Sequence, residues 1–133
     1  ESHIWISHIG DTKAFILRND RLQQLTKDHN YALEKDQLIT RDADFENNVL
    51  TRVLGISSKE QFDLIDFELL ETDRIILCSD GLMASGIHNN QLLQLINEAA
   101  NDEILADNLE QLALASGAPD NFCFAIVGRG DIK

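Results

Sequence analysis

The chain has 133 residues, 44% hydrophobic and 26% charged, which is the composition of a soluble globular domain large enough for a core. Eleven basic against 23 acidic residues leave a formal net charge of −12, and a surface of that sign repels nucleic acid and anionic membranes. No apolar run reaches membrane-spanning length and no signal peptide opens the chain, so we expect a cytoplasmic protein without nucleic-acid or membrane partners.

Antiparallel strands are predicted at the start of the chain. Residues 4–9 indicate a strand, Gly10-Asp11-Thr12 a turn and residues 13–18 a second strand. Asn19-Asp20 is typical of a two-residue hairpin turn, here leading into a third strand at 21–25. This meander places Asp11 at its first turn.

The middle of the chain is predicted to be irregular before it returns to strands. Residues 31–45 mix apolar and charged side chains without a clean period, which we interpret as a short helix and a loop. A β-rich stretch at 48–55 follows, and then a strand at 62–68 and another at 74–79 are expected.

The strand at 74–79 carries an acid at its end. Apolar residues 75–78 run into Ser79, Asp80 and Gly81, which is the pattern of a buried strand that delivers a carboxylate to the edge of a rigid core. The alternative is a plain turn, because Asp-Gly between apolar runs is also a common hairpin signal.

Two amphipathic helices are expected before the last strand. Apolar residues recur at helical spacing after a cap at Asn89 or Asn90, and again between a cap at Asp102 and a stop at Gly117. The apolar face of each helix is expected to pack on a sheet. The last strand is predicted over residues 122–127.

Cys78 and Cys123 both lie in apolar, strand-like runs. No metal-type spacing joins them, so we expect both to be small buried core residues.

Three acids stand out by position. Asp11 lies in the turn after one strand, Asp80 at the end of another and Asp120 just before a third. Strand ends of one sheet can converge, and clustered carboxylates without histidine suit hard divalent cations such as Mn²⁺ or Mg²⁺. The alternative is that these acids are simply solvated, as most of the 23 acidic residues must be.

Five short blocks resemble, in order and approximate spacing, the motifs of a known enzyme family. The family is the metal-dependent protein serine/threonine phosphatases (PPM, or protein phosphatase 2C), in its bacterial form. The blocks cover nearly the whole chain: Gly10-Asp11-Thr12-Lys13, Leu25-Thr26-Lys27-Asp28-His29, Leu50-Thr51-Arg52-Val53-Leu54-Gly55, Asp73-Arg74-Ile75-Ile76-Leu77-Cys78-Ser79-Asp80-Gly81-Leu82 and Asp120-Asn121.

The resemblance implies an α+β fold, an antiparallel β-sandwich flanked by helices in an α-β-β-α arrangement. It also implies a phosphoprotein phosphatase that hydrolyses phosphoserine and phosphothreonine with water activated by two or three Mn²⁺ or Mg²⁺ ions, so that no side chain is itself catalytic. By motif match, Asp80 and Asp120 are metal ligands, and Asp11 helps to hold an outer ion. Gly81 and Asn121 would support the site.

Departures from the family pattern suggest that residues 1–133 are one piece, the C-terminal part, of such a domain. The chain begins in mid-strand, and it lacks the Asp-Gly-x-Gly-Gly motif and the phosphate-holding basic residue of the family's first half. Gly-Asp-Thr-Lys also replaces the commoner Gly-Asp-Ser-Arg. We therefore expect the incomplete sandwich to be a poor phosphatase alone and to self-associate through its uncovered sheet.

Two other functions remain open from the sequence. One is a non-catalytic binding or regulatory module that keeps the fold without hydrolysis. The other is a structural piece whose free sheet edge pairs with another chain. His29 matches a family motif position, and its Thr-x-Asp-His setting favours a structural role in local hydrogen bonding.

Overall fold

The computed structural model describes residues 2–30, 49–55 and 61–128, and every structural statement here refers to those ranges. In chain order the elements are β1 (Ser2–His8), β2 (Lys13–Arg18), β3 (Arg21–Gln24), β4 (Asp63–Leu69), β5 (Arg74–Cys78), α1 (Asp80–Ala84), α2 (Asn89–Glu98), α3 (Asp102–Ala115) and β6 (Phe124–Gly128). The helix and loop expected within 31–45 lie outside the described residues.

The strands form two antiparallel sheets. One has the order β3-β2-β5-β6, and the other pairs β1 with β4. With the helices, this confirms the expected α+β class, and within the described ranges the second layer of the sandwich has two strands. The hairpin between β2 and β3 turns at Asn19 and Asp20, whose φ angles of 53° and 57° suit the tight two-residue turn that was predicted.

The core lies between the four-stranded sheet and the helices. Alternate residues of each strand point to the helices, because successive side chains of a strand point to opposite faces. The buried cluster comprises Phe15, Leu17, Ile76, Cys78, Leu82, Ile87, Leu92, Ile96, Leu105, Leu109 and Ala113. Its burial holds β5, the strand that leads to Asp80, in the middle of the sheet.

The opposite face of the four-stranded sheet looks across a cavity at the two-stranded sheet. The cavity has a volume of about 300 Å³, and Ile6 and His8 of β1 line it together with Ala14, Leu77 and Ala125 of the larger sheet. Leu77 remains 38% exposed there. This inner layer is therefore only partly filled.

Helix starts differ from the sequence-based expectations. The N-cap of α2 is His88, which forms a capping box with Gln91, and the N-cap of α3 is Asn101, whose side chain accepts from the Ile104 amide at 2.8 Å. Capping depends on which residue keeps extended φ and ψ angles, and several neighbouring polar residues compete for that role. α3 ends before Gly117, at φ +93°, as predicted.

Three further expectations are corrected or refined. The strand expected at 48–55 is reduced, in its described part 49–55, to a single bridge between Asn30 and Leu50. Cys78 is buried as predicted, but Cys123 is exposed because it precedes β6 on the face away from the core. No helix within the described ranges is long and apolar enough to cross a membrane.

Candidate active site

Asp11, Asp80 and Asp120 lie beyond the same end of the four-stranded sheet. The first residue of β2 is opposite the last residue of β5, which is in turn opposite the first residue of β6. Because neighbouring strands run in opposite directions, the start of β2, the end of β5 and the start of β6 lie at the same end of the sheet. The three acids follow or precede those strand ends by only a few residues.

Asp80 stands at the transition from β5 to α1. Its Oδ1 accepts a hydrogen bond from the Gly81 amide at 2.9 Å. The preceding residue, Ser79, donates its amide to the Cys123 carbonyl at 3.0 Å and accepts the Cys123 amide on Oγ at 3.1 Å. The strand that carries Asp80 is therefore fastened to the segment that follows Asp120. The alternative of a plain hairpin turn is wrong, because a helix begins at Asp80.

The segments around Asp80 and Asp120 are in direct contact. Gly81 is buried against the backbone of Asn121, and a β-carbon built at residue 81 would collide with the Asn121 carbonyl oxygen. Asp120 accepts the amide of the next residue, Asn121, on Oδ1 at 2.7 Å. Glycine at 81 is therefore required for the two acidic turns to approach each other.

The three acids are available to bind a cation. Asp80 and Asp120 are exposed and Asp11 is half-buried, and none of the three forms an ion pair with another residue in the described part of the chain. Structural carboxylates elsewhere behave differently, since Asp73 is buried and paired with Arg18. Oxygen-only donors of this kind suit Mg²⁺ or Mn²⁺.

The turn that carries Asp11 is held by the segment before residue 30. Gly10 has φ +99°, a conformation that favours glycine, and its amide donates to His29 Nδ1 at 3.2 Å. On the other side of the turn, Lys13 Nζ contacts Asp28 at 2.6 Å. The motif blocks around Asp11 and His29 are thus two halves of one hydrogen-bonded unit, in agreement with the local hydrogen bonding expected for His29.

A second cluster lies next to this turn and was not foreseen. His8, His29 and Asp63 each offer one potential metal-ligand atom, and these atoms lie within 4.8 Å of one another. Among the described residues, this is the only such group of three or more histidine, cysteine or acidic side chains. The His29 and His8 rings lie 4.8 Å apart, and His29 Nε2 is 3.0 Å from Asp63 Oδ2. No sequence spacing signals it, because the three residues come from separate elements of the chain.

The pKa values of Asp63 and His8 are both lowered within the cluster. A hydrogen bond from His29 holds the pKa of Asp63 below its usual range. Burial, together with repulsion from His29, lowers the pKa of His8, although the Thr12 backbone acts in the opposite direction. Neither ring nitrogen of His8 has a hydrogen-bond partner of normal geometry within the described residues. His8 is therefore held as a neutral, buried ring.

Curated bacterial proteins are similar to nearly the whole chain. The serine/threonine phosphatase stp of Listeria welshimeri is 28% identical over 97% of this chain and 53% of its own length. The protein phosphatase PhpP of Streptococcus pneumoniae is 30% identical over 94% of this chain and 52% of its own length. The chain thus spans about half the length of these relatives. No protein-family model matches it.

Solved structures give the same result for the fold. The PPM Ser-Thr phosphatase MsPP from Mycobacterium smegmatis superposes with a TM-score of 0.77 at 26% identity. The match covers 93% of this chain and 55% of the MsPP chain. The architecture described above is therefore similar to about half of such a structure.

Proposed function

Since the chain fits the C-terminal part of a bacterial PPM-type serine/threonine phosphatase, we propose that it supplies part of the metal site of an enzyme that hydrolyses phosphoserine and phosphothreonine in proteins. The observation that carries the proposal is the contact between Gly81 and Asn121, because it joins the turns of Asp80 and Asp120 at one sheet end. Asp11 lies at that same end.

The donor set fits Mn²⁺ or Mg²⁺. Exposed carboxylates without competing ion pairs are the ligands that such hard cations prefer, and we propose Asp80 and Asp120 for the two central ions and Asp11 for a third, outer one. When bound there, the ions would lower the pKa of a coordinated water and make it a nucleophile at neutral pH.

Neighbouring residues of the chain hold the Asp80 and Asp120 carboxylates in position. Asp80 is fixed by the buried strand behind it and by the hydrogen bond from Gly81. Asp120 is fixed by its bond to Asn121, which in turn rests on Gly81. A carboxylate held in this way loses little conformational entropy when it binds a cation, so the site is preorganised.

The proposed substrate is a phosphorylated protein, in keeping with the names of the relatives. We place the reaction in the cytoplasm, because both cysteines are free thiols and a reducing compartment keeps them so. The alternative function, a non-catalytic module with the same fold, would use the same surface for binding without turnover.

Conservative substitutions test the proposal in the intact protein. Asp80→Asn and Asp120→Asn should each lower Mn²⁺-dependent hydrolysis of a phosphopeptide about a hundredfold or more, since loss of even an indirect ligand partner costs about 10- to 100-fold. Asp11→Asn should cost less, because its ion is the outer one. Asp107→Asn, an exposed position on α3, is the charge-matched control. Full turnover by the Asp80→Asn protein would remove Asp80 from the site, and a wild-type protein without turnover would favour the binding module.

A further inference from the structure

His29 connects a carboxylate on β4 to the turn that carries Asp11. Its side chain is 2% exposed, its Nδ1 accepts the Gly10 amide at 3.2 Å and its Nε2 lies 3.0 Å from Asp63 Oδ2. A backbone amide can only donate, so Nδ1 carries no proton in this arrangement. The ring proton is therefore on Nε2 and is donated to Asp63, which fixes both the tautomer and the orientation of the ring.

The same residue holds both polar groups of Gly10. Besides the bond to its ring, the His29 amide donates to the Gly10 carbonyl at 2.8 Å. Gly10 immediately precedes Asp11, and its φ of +99° is a conformation that glycine adopts without strain. The backbone entering Asp11 is thus clamped from two directions by one buried side chain and its own backbone.

The far side of the turn is held independently. Thr26 Oγ1 accepts the Ala14 amide at 3.0 Å and donates to the Thr12 carbonyl at 3.3 Å. Removing the His29 ring would therefore leave the Gly10 side of the turn with only its backbone bond to His29, while β2 stays in place. Asp11 would remain near the site but would lose its fixed direction.

We propose that His29, oriented by Asp63, is a positioning residue that sets the cation affinity of Asp11. The inference rests on the proposed function in taking Asp11 as a ligand of the outer ion. The link from β4 through His29 to Gly10 makes the direction of the Asp11 carboxylate depend on a contact with the two-stranded sheet. That contact lies outside the four-stranded sheet on which the three acids stand.

A competing possibility is that His8, His29 and Asp63 themselves bind a metal. Their spacing allows it, and neither ring nitrogen of His8 has a hydrogen-bond partner of normal geometry among the described residues. However, a cation on His29 Nε2 would move the ring proton to Nδ1, where it would face the Gly10 amide proton. The Arg52 guanidinium, 3.2 Å from Asp63 Oδ1, would also repel the cation. A metal there and the clamp on Gly10 exclude each other.

Two substitutions of His29 distinguish its bond with the Gly10 amide from its bond to Asp63. In His29→Asn the amide oxygen can occupy the place of Nδ1 and still accept from Gly10, but it does not reach Asp63. In His29→Gln the longer amide can still donate to Asp63, but it leaves the Gly10 amide without an acceptor. His3→Gln is the matched control, because His3 Nδ1 also pairs with a carboxylate, Asp66, at 3.0 Å, on the exposed side of the small sheet.

Isothermal titration of the full-length protein with Mn²⁺, without substrate, is the measurement. We expect His29→Gln to weaken the outer Mn²⁺ site about three- to tenfold, the range of one neutral hydrogen bond, and His29→Asn to retain more affinity. His3→Gln should match the wild type. Thermal unfolding identifies the variants that are folded at the titration temperature.

Several results would overturn the inference. Wild-type Mn²⁺ affinity in a folded His29→Gln protein would do so, as would equal losses in both His29 variants, which would indicate a purely structural role. Tight Zn²⁺ binding that disappears in His8→Asn would show instead that the cluster is a metal site. Because no phosphatase assay is involved, a clamp-dependent Mn²⁺ site in a protein without turnover would defeat the proposed function and leave this inference standing.

Discussion

Gly81 lies against the carbonyl group of Asn121, so that the first turn of α1 and the turn of Asp120 touch through a glycine. A helical glycine normally costs about 1 kcal/mol relative to alanine. The close contact explains why alanine is not used at this position, since a β-carbon would meet backbone atoms that are themselves part of the acidic turn.

Gly81→Ala should therefore destabilise the protein, by about 1–3 kcal/mol as in other overpacked sites, instead of stabilising the helix. It should also weaken Mn²⁺ binding, because the Asp120 turn must move. Urea denaturation and Mn²⁺ titration measure the two effects. Gly86→Ala is the control: it has φ +78° and open space around it, so it should cost stability without changing Mn²⁺ affinity. Increased stability of the Gly81→Ala protein would contradict the contact.

The contribution of Asp73 to the free energy of unfolding should depend on pH. Its buried carboxylate accepts Arg18 Nε at 3.0 Å and the Leu70 amide at 2.7 Å. Burial by itself raises the pKa of Asp73, but the bonds from Arg18 and Leu70 outweigh it and hold the pKa below its ordinary value of 3.8. Because the folded pKa is depressed, the stabilisation is complete above the unfolded pKa and is lost as the pH falls through the folded pKa.

Asp73→Asn should thus lower the free energy of unfolding by about 1–2 kcal/mol near neutral pH, since it removes the charged acceptor of Arg18, whose side chain is 36% exposed and keeps its bond to the Glu68 carbonyl. The difference from the wild type should shrink as the pH falls below about 4. Urea denaturation over a pH series measures it, with the exposed Asp107→Asn as the control. A difference that stays constant down to the acid-unfolding limit would mean that the charge of Asp73 does not contribute.

The two thiols should differ in reactivity. Burial raises the pKa of Cys78 to about 11, whereas Cys123 is exposed. Iodoacetamide at mildly alkaline pH should therefore label Cys123 alone in the native protein and both cysteines in urea, because only the thiolate reacts. Mass spectrometry counts the labels, and Cys123→Ser should remove native labelling. Rapid native labelling of Cys78 would show that β5 opens readily.

Residues 1–133 on their own should self-associate. Trp5 is 64% exposed and Leu64 is 63% exposed, and they are diagonal neighbours on the outer face of the two-stranded sheet. Light scattering should show a dimer or larger species, and Trp5→Lys should shift it towards the monomer, with the exposed Gln23→Lys as the control.

The isolated chain should also hydrolyse a phosphopeptide poorly with Mn²⁺. A monomer with full metal-dependent turnover would mean that the essential chemistry is complete in these residues.

The sequence by itself determined the local features of the fold. Strand alternation, the Asn19-Asp20 turn and the glycine that ends α3 depend on neighbouring residues, so their patterns could be interpreted directly. The position of Asp80 at a strand end followed from an apolar run and a small residue. Family motifs added the expectation that Asp11 and Asp120 belong with it, and the tertiary structure brought all three to one sheet end.

Only the tertiary structure decided how the site is supported. His29 meets Gly10 and Asp63 across 19 and 34 residues of sequence, and Gly81 meets Asn121 across two helices. Such contacts depend on how sheets pack and pair, which no local period encodes. For the same reason Cys123 was expected to be buried and is exposed. Its apolar neighbours continue into β6, but β6 begins one residue later, and the alternation of the strand turns Cys123 away from the helices, towards the partly filled cavity between the sheets.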